Sequence, residues 1–224
     1  MPISLKESFV ILSEGDADKA FIEKLMEQRG NFPAFDFPYP NQQFHGNTAF
    51  GNMLSSLRGD PIGFARLRGI LIVADSADDP AKTFKSISSQ IAAAGGYGVP
   101  KRLLELASYS GAGPAIAVTL IPDDGDPGSL ESLFVKDIVG RHDWIDKCVD
   151  TFLGCGNSKA LGWSPEKLSK ARFHSMIAAI HEDDPSRAAS KVFRDPPVID
   201  ISAPCFNNLE KRIRDFCAAV QATN

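Results

Sequence analysis

Acidic side chains follow three apolar segments of the chain. They are Glu14 after the first segment, Asp75, Asp78 and Asp79 after the second, and Asp123, Asp124 and Asp126 after the third. Two carboxylates about 4 Å apart repel each other by about 4 kcal/mol at an effective dielectric constant near 20. Protonation of one carboxyl group or a bound hard cation relieves this repulsion. If the three segments are neighbouring strands, the pattern predicts a Mg²⁺ or Mn²⁺ site suited to phosphodiester chemistry.

An ordinary structural role competes with this interpretation, because Asp caps helices and forms turns. Asp123, Asp124 and Asp126 alternate with Pro and Gly and are typical of turn residues. Glu14 is different, since Glu is a poor turn former and Glu14 stands between an apolar segment and Gly15. The functional interpretation therefore depends on the whole set of carboxylates rather than on any single Asp.

The elements that must position these carboxylates are strands that alternate with helices. Apolar segments predict strands over residues 8–13, 69–74 and 115–121. Apolar spacing predicts helices over residues 17–29, 47–57 and 81–94 and a further helix that begins at residue 129. This alternation predicts an α/β fold with a mostly parallel sheet flanked by helices. The carboxyl ends of its strands share one edge, which is where ligands of such sheets bind.

The last third of the chain has a different pattern. Helices are predicted over residues 144–153, 165–180 and 206–220, and an extended piece over residues 198–201 interrupts them. We therefore predict an α/β domain over residues 1–140. A mainly helical C-terminal extension, residues 141–224, is expected to pack on its sheet.

Three segments resemble motifs of Toprim domains. Residues 11–21 contain a strand, the pair Glu14-Gly15, a short acidic turn and the start of a helix, and residues 70–75 form an apolar strand that ends in Asp75. Residues 120–122 together with 127–133 resemble an element of Toprim-like proteins related to the OLD (overcoming lysogenisation defect) nucleases. The resemblance spans residues 8–140 and is to small, stand-alone bacterial Toprim-like proteins of uncharacterised function.

The resemblance implies a Toprim-like, Rossmannoid fold and roles for particular carboxylates. Glu14 would be the catalytic Toprim glutamate, as a metal ligand or a general base. Asp75 would ligate Mg²⁺ or Mn²⁺, and Glu131 would be the additional catalytic carboxylate of the OLD-like branch. Asp18 matches an acidic position that is often found just inside the first helix.

One position departs from the Toprim pattern. The second aspartate of the Asp-x-Asp motif falls at Ala77, whose side chain cannot bind a metal ion. Asp78 or Asp79 would have to take its place as a ligand. If neither carboxylate reaches the metal, the site lacks a ligand and loses catalysis.

Two basic residues of the 165–180 segment are candidates for contact with a substrate phosphate. Lys170 and Arg172 could bring positive charge toward a phosphate, although a solvated helix face is the simpler explanation for them.

Three functions remain open. The leading hypothesis is Mg²⁺- or Mn²⁺-dependent phosphodiester chemistry on DNA or RNA, of the nuclease type, in defence or repair. The alternative is a catalytically degenerate Toprim-like module that binds a nucleotide, nucleic acid or partner protein. The third is a receiver-type phosphoacceptor at Asp75 with Glu14 and Asp16 as its acidic pair, but the Lys expected after a late strand is missing.

The composition of the chain restricts which of these functions and cellular locations are expected. A net charge of −4 argues against binding to nucleic acid by bulk charge alone. No apolar run approaches the roughly 20 residues of a membrane span, and the N-terminus lacks a signal-peptide pattern, so we expect a cytoplasmic protein without a membrane partner. Toprim-like proteins often work beside an ATPase, so the resemblance admits such a partner, while the oligomeric state is open.

Overall fold

The computed structural model describes residues 4–38, 49–109, 112–123, 125–155, 162–193 and 197–223. It contains a five-stranded sheet with the order β2-β1-β3-β5-β4. The strands are β1 (Phe9–Ser13), β2 (Phe35–Asp36), β3 (Gly69–Asp75), β4 (Ala107–Tyr109) and β5 (Ala112–Ile121). All neighbours pair in parallel except β4, which is antiparallel to β5. The fold is therefore α/β with a mostly parallel sheet, as the sequence pattern predicts.

Helices cover both faces of this sheet. They are α1 (Asp16–Arg29), α2 (Phe50–Leu57), α3 (Pro61–Arg66), α4 (Pro80–Ala94), α5 (Leu130–Arg141), α6 (Asp143–Cys155), α7 (Pro165–Ile180) and α8 (Asn207–Ala222). Short 3₁₀ helices occur at Ala189–Lys191 and Pro204–Phe206. Within the described ranges, none of the helices combines the length and the apolar composition that crossing a bilayer requires.

Strand register brings the predicted functional residues to one edge. Ser13 at the end of β1 pairs with Val73, and Asp75 at the end of β3 pairs with Ile121 of β5. Glu14 follows Ser13 directly, so it lies at the same edge as Asp75 and the loop that begins after β5. Strand pairing alone therefore places Glu14, Asp75 and the start of the loop after β5 at the same edge of the sheet.

The sheet separates two apolar cores, because side chains alternate between its faces. Val10 and Ile72 face the core that α2 and α4 cover. Ile11 and Val73 face the other core, to which the later helices contribute Phe173 and other residues. The region after residue 140 thus shares a core with the sheet, and α8 packs directly on β3 and β5.

The segment predicted as extended, residues 198–201, forms bends that lead into a turn at residue 201 and is not a strand. Apolar and polar residues alternate in this segment because Ile199 and Ile201 are both buried in the core, not because they belong to a strand. The backbone turns onto neighbouring loops, where the amides of residues 198 and 199 donate to the carbonyl of Val192, and the Asp200 amide donates to buried Asp137.

A buried arginine of α8 anchors the end of β5. Arg212 is only 3% exposed. Its guanidinium donates to Thr119 Oγ1 at 3.1 Å, to the Leu120 carbonyl at 2.7 Å and to Asp123 Oδ1 at 2.6 Å. Asp123, one of the acidic residues that follow the third predicted strand, therefore ties the loop after β5 to α8.

Arg212→Met should lower the free energy of unfolding by about 3 kcal/mol, because the change removes a donor that serves three acceptors in a buried position. Urea denaturation measures the loss. Lys211→Met on the same helix is the control, since Lys211 forms an exposed pair with Asp215 and its loss should cost no more than about 0.5 kcal/mol. Equal losses in the two variants would contradict the anchoring role.

Candidate carboxylate site

Four helix N-termini receive acidic side chains at the carboxyl edge of the sheet. Asp18 accepts a hydrogen bond from the Gly15 amide that precedes α1, at 3.0 Å, and Asp75 accepts from the first amide of α5, at 2.9 Å. Asp79 accepts from the Lys82 amide of α4, and Asp78 accepts from the Glu166 amide of α7. Helix N-termini carry free amides and partial positive charge, so they stabilise carboxylates at this edge.

Glu14, Asp18, Asp75 and Glu131 lie close enough to influence one another electrostatically, and we call them the carboxylate cluster. Burial, followed by the charges of Asp18 and Glu166, raises the pKa of Glu14 to about 8. Burial and the charge of Glu131 raise the pKa of Asp18 to about 7. The pKa of Asp75 is also raised well above its ordinary value, by burial and then by Asp18, Glu14 and Glu131.

Glu14 carries the clearest sign of an unmet interaction. Its Oε1 atom is buried and has no hydrogen-bond partner among the residues that the structure describes. A buried carboxylate oxygen without a donor is costly unless the group is protonated or meets a cation. The Oε1 atom of Glu14 could therefore bind a proton or contact a cation, and none of the described residues donates a hydrogen bond to it.

Glu131 is held by hydroxyl groups. Ser129, which is fully buried at the start of α5, donates its hydroxyl to Glu131 Oε2 at 2.6 Å. The Ser129 hydroxyl also lies 3.1 Å from the hydroxyl of Ser169 on α7. The position of Glu131 thus depends on contacts from both α5 and α7.

Lys170 of α7 supplies positive charge to the cluster. Its ammonium pairs with Glu166 one turn earlier, and its charge lowers the pKa values of Glu14, Asp18 and Asp75. Burial alone would lower the pKa of Lys170, but the hydrogen bond with Glu166 and the neighbouring carboxylates raise it. Lys170 therefore stays protonated beside the carboxylates.

The structure places the other predicted residues elsewhere. Asp78 and Asp79 are exposed and engage helix N-termini, as described above. Arg172 forms ion pairs with Asp146 and Asp150 of α6, so its charge is committed there. Asp124 lies outside the described residues, and the carbonyl of Asp126 accepts from the hydroxyl of Ser76.

Sequence reasoning missed Glu166. Its spacing of four residues before Lys170 is typical of a helical ion pair and could have marked the two as a unit. Nothing in the local sequence indicates that the N-terminal turns of α7 reach Glu14, because that proximity depends on how α7 packs against α5.

Ala77, at the position of the missing aspartate, has an unusual backbone. Its φ of 53° is in the left-handed region, which is uncommon for residues other than Gly, Asn and Asp. Its amide donates to the carbonyl of Gly128 at 2.9 Å, and its carbonyl accepts from the amide of Gly128 at 2.7 Å. Position 77 thus joins the loop after β3 to the loop before α5.

The carboxylate cluster fits Mg²⁺ or Mn²⁺ in donor chemistry but is not a closed metal cage. Oxygen donors are the ones these ions prefer, and the unmet Oε1 of Glu14 offers one of them. Among the described residues, no three His, Cys, Asp or Glu side chains form a ready metal-binding group. Such a site matches Mg²⁺ held by one or two carboxylates and water, which is common where phosphate completes the coordination.

Comparison with known proteins identifies the family. The model of the DUF3226 family, which is described as a protein of unknown function, matches residues 8–217. Because that match covers all five strands and most of α8, the chain belongs to this family. Searches of curated proteins and of solved structures give no match.

Glu14→Gln should change how stability depends on pH. Because folding raises the pKa of Glu14 from 4.5 to about 8, the folded protein retains a proton between these values that the unfolded chain releases. This contribution to stability is complete below pH 4.5 and is lost as the pH rises toward 8. We compare the free energies of unfolding of Glu14→Gln and the wild type in metal-free buffer. The value for the variant minus that for the wild type should be higher at pH 8.5 than at pH 5 by at least about 1 kcal/mol.

Urea denaturation at both pH values measures this difference. Glu23→Gln is the matched control, because Glu23 is an exposed glutamate of α1. The free energy of unfolding of Glu23→Gln should differ from that of the wild type by nearly the same amount at both pH values. If Glu14→Gln behaved like Glu23→Gln, the raised pKa of Glu14 would be refuted.

Proposed function

We propose that this DUF3226 protein is a Toprim-like enzyme that uses Mg²⁺ or Mn²⁺ to cleave phosphodiester bonds in DNA or RNA. The carboxylate cluster supports the proposal most directly. It gathers Glu14, Asp75 and Glu131, which come from three separate segments, at the carboxyl edge of a parallel sheet beside Lys170. Substrates of parallel α/β sheets bind at this edge.

Glu14 and Asp75 are the residues that would hold the ion, in keeping with the motifs that resemble Toprim domains. Asp78 and Asp79 would join them only by leaving the helix N-termini that they now engage. When bound, Mg²⁺ or Mn²⁺ offsets phosphate charge and makes a bound water more acidic. Both effects assist the hydrolysis of a phosphodiester.

The remaining groups have distinct tasks in this proposal. Glu14, whose pKa is about 8 in the metal-free protein, would release its proton when it holds the ion. The Lys170 ammonium would contact a non-bridging phosphate oxygen after exchanging its pairing with Glu166. Glu131, oriented by Ser129, would complete the acidic site.

Nucleic acid would be held by the site rather than by the overall charge of the protein. The chain has a net charge of −4, so long-range attraction to a polyanion is weak. The ion and Lys170 would then provide most of the local attraction. A separate ATPase that delivers the substrate, as for other Toprim-like proteins, fits this arrangement, and we place the enzyme in defence or repair in the cytoplasm.

A catalytically degenerate module is the second candidate, and one observation favours it. Ala77 stands at the position of the second motif aspartate, and its backbone is tied to Gly128. Asp78 and Asp79, the nearest carboxylates in sequence, engage helix N-termini. Such a module would bind a nucleotide, nucleic acid or partner protein without cutting.

Glu14→Gln and Asp75→Asn should each weaken Mn²⁺ binding by about tenfold or more, because each removes a negatively charged oxygen donor. Isothermal titration calorimetry measures the affinity, and an assay on labelled single-stranded and duplex DNA and RNA measures cleavage. Glu23→Gln, on the exposed face of α1, should leave both unchanged. Unaltered Mn²⁺ affinity and cleavage in both cluster variants would rule out the proposed site.

Ala77→Asp separates the two candidate functions. The left-handed backbone at position 77 tolerates Asp and Asn better than Ala, so both Ala77→Asp and Ala77→Asn should fold. Only Asp adds a negative ligand, and we expect Mn²⁺ to bind about tenfold more tightly to this variant than to Ala77→Asn. Cleavage by the wild type supports the enzyme, whereas cleavage that appears only in Ala77→Asp supports the degenerate module.

A further inference from the structure

Trp163 and Lys167 form an aromatic and cationic pair at the start of α7. Trp163 directly precedes Ser164, whose hydroxyl accepts from the Lys167 amide and caps this helix. The Trp163 ring is half-buried against the core, and the Lys167 ammonium lies over it, 4.9 Å from the ring centre. Lys167 itself is exposed. Aromatic rings beside cations are the elements with which proteins hold single-stranded nucleic acid.

This pair lies beside the carboxylate cluster. Glu166, which precedes Lys167, donates its amide to Asp78 in the loop after β3, and its charge adds to the effect of burial in raising the pKa of Glu14. Lys170 is three positions beyond Lys167, so the two ammonium groups are neighbours on one side of α7. The seven residues that separate the aromatic ring from this second lysine rise about 10 Å along a helix. That distance equals about three steps of a nucleic-acid strand, at about 3.4 Å each.

We propose that Trp163 and Lys167 hold an unpaired nucleotide of the strand that the carboxylate cluster cleaves. This inference rests on the proposed function, because it names the part of the substrate that lies next to the cleaved bond. The base stacks on the Trp163 ring, and the Lys167 ammonium leaves the ring to contact the adjoining phosphate. A cation–π contact at an exposed site is weaker than the stacking of a base on an aromatic ring, so this exchange is favourable.

Stacking suits a protein whose net charge is −4. The attraction between a base and an aromatic ring does not depend on the overall charge of the protein, whereas binding through phosphates alone does. A base inside a duplex is already stacked and paired, so Trp163 could reach its face only after the base left the stack. We therefore expect single-stranded DNA and RNA to bind more tightly than duplex DNA.

Tryptophan fluorescence tests the stacking directly, because Trp144 and Trp163 are the two tryptophans of the chain and each can be observed alone. Trp144→Phe retains the indole at position 163, and Trp163→Phe retains the indole at position 144. The probes are oligo(dT) and oligo(U) of about 12 nucleotides, within the site sizes of single-strand binders. They are added in Ca²⁺, which also takes oxygen ligands. Both strands should quench the fluorescence of Trp144→Phe and leave that of Trp163→Phe unchanged.

Affinity measurements on matched variants test both members of the pair. Trp163→Leu keeps an apolar side chain against the core but removes the aromatic face, so it should bind oligo(dT) about tenfold more weakly or worse. Trp144→Leu is its control, because Trp144 is 53% exposed on α6, and it should bind like the wild type. Lys167→Gln should reduce the slope of log affinity against log salt concentration by about 0.7, the value for one phosphate contact on a single strand. Lys211→Gln, at an exposed lysine of α8, should leave this slope unchanged.

Several outcomes would overturn the nucleotide site: no binding of either strand to the wild type, quenching of Trp163→Phe instead of Trp144→Phe, full affinity in Trp163→Leu, or equal affinity for oligo(dT) and its duplex with oligo(dA). The proposed function is tested separately by Mn²⁺ titration of Glu14→Gln and Asp75→Asn. If Mn²⁺ binding requires these carboxylates and the wild type cleaves nucleic acid, a negative result at Trp163 refutes the nucleotide site alone. If Mn²⁺ does not bind, the proposed function itself fails.

Discussion

The attraction between acidic side chains and helix N-termini organises the carboxyl edge of the sheet. Asp18 and Asp75 bind the amides at the starts of α1 and α5, and Asp78 and Asp79 bind those of α7 and α4. Each contact supplies an acceptor to a free backbone amide. It also places a carboxylate beside the partial positive charge of a helix N-terminus. These contacts hold negative groups close together at a buried position, so burial and then mutual repulsion raise the pKa values of Glu14, Asp18 and Asp75.

The helices after residue 140 are part of this arrangement. Helix α7 brings Lys170 and Glu166 to the carboxylates, and its Ser169 meets the hydroxyl that orients Glu131. Helix α8 fixes the loop after β5 through Arg212. The charge balance of the site therefore depends on residues distant in sequence from the motifs at Glu14 and Asp75, and loss of α7 would leave the cluster without its lysine.

Much of the fold was predictable because strong local signals agree with the tertiary structure. The segment at β3 is apolar on both faces, as a central parallel strand requires, and the shared edge of the strands follows from parallel pairing. Long-range packing decided what was missed. Arg172 forms its ion pairs with acidic residues of α6. Glu166 reaches the cluster through the packing of α7, and Ile199 and Ile201 are buried in a segment that is not a strand.

In the proposed function, protons and metal ions compete for the carboxylate cluster. Proton release during Mn²⁺ addition to the unbuffered, metal-free protein at pH 7 tests it most directly. With pKa values of about 8 for Glu14 and about 7 for Asp18, binding should release about one proton or more per ion. The release should fall toward zero near pH 9.5. Mn²⁺ binding with no proton release at pH 7, or no Mn²⁺ binding at all, would contradict the account.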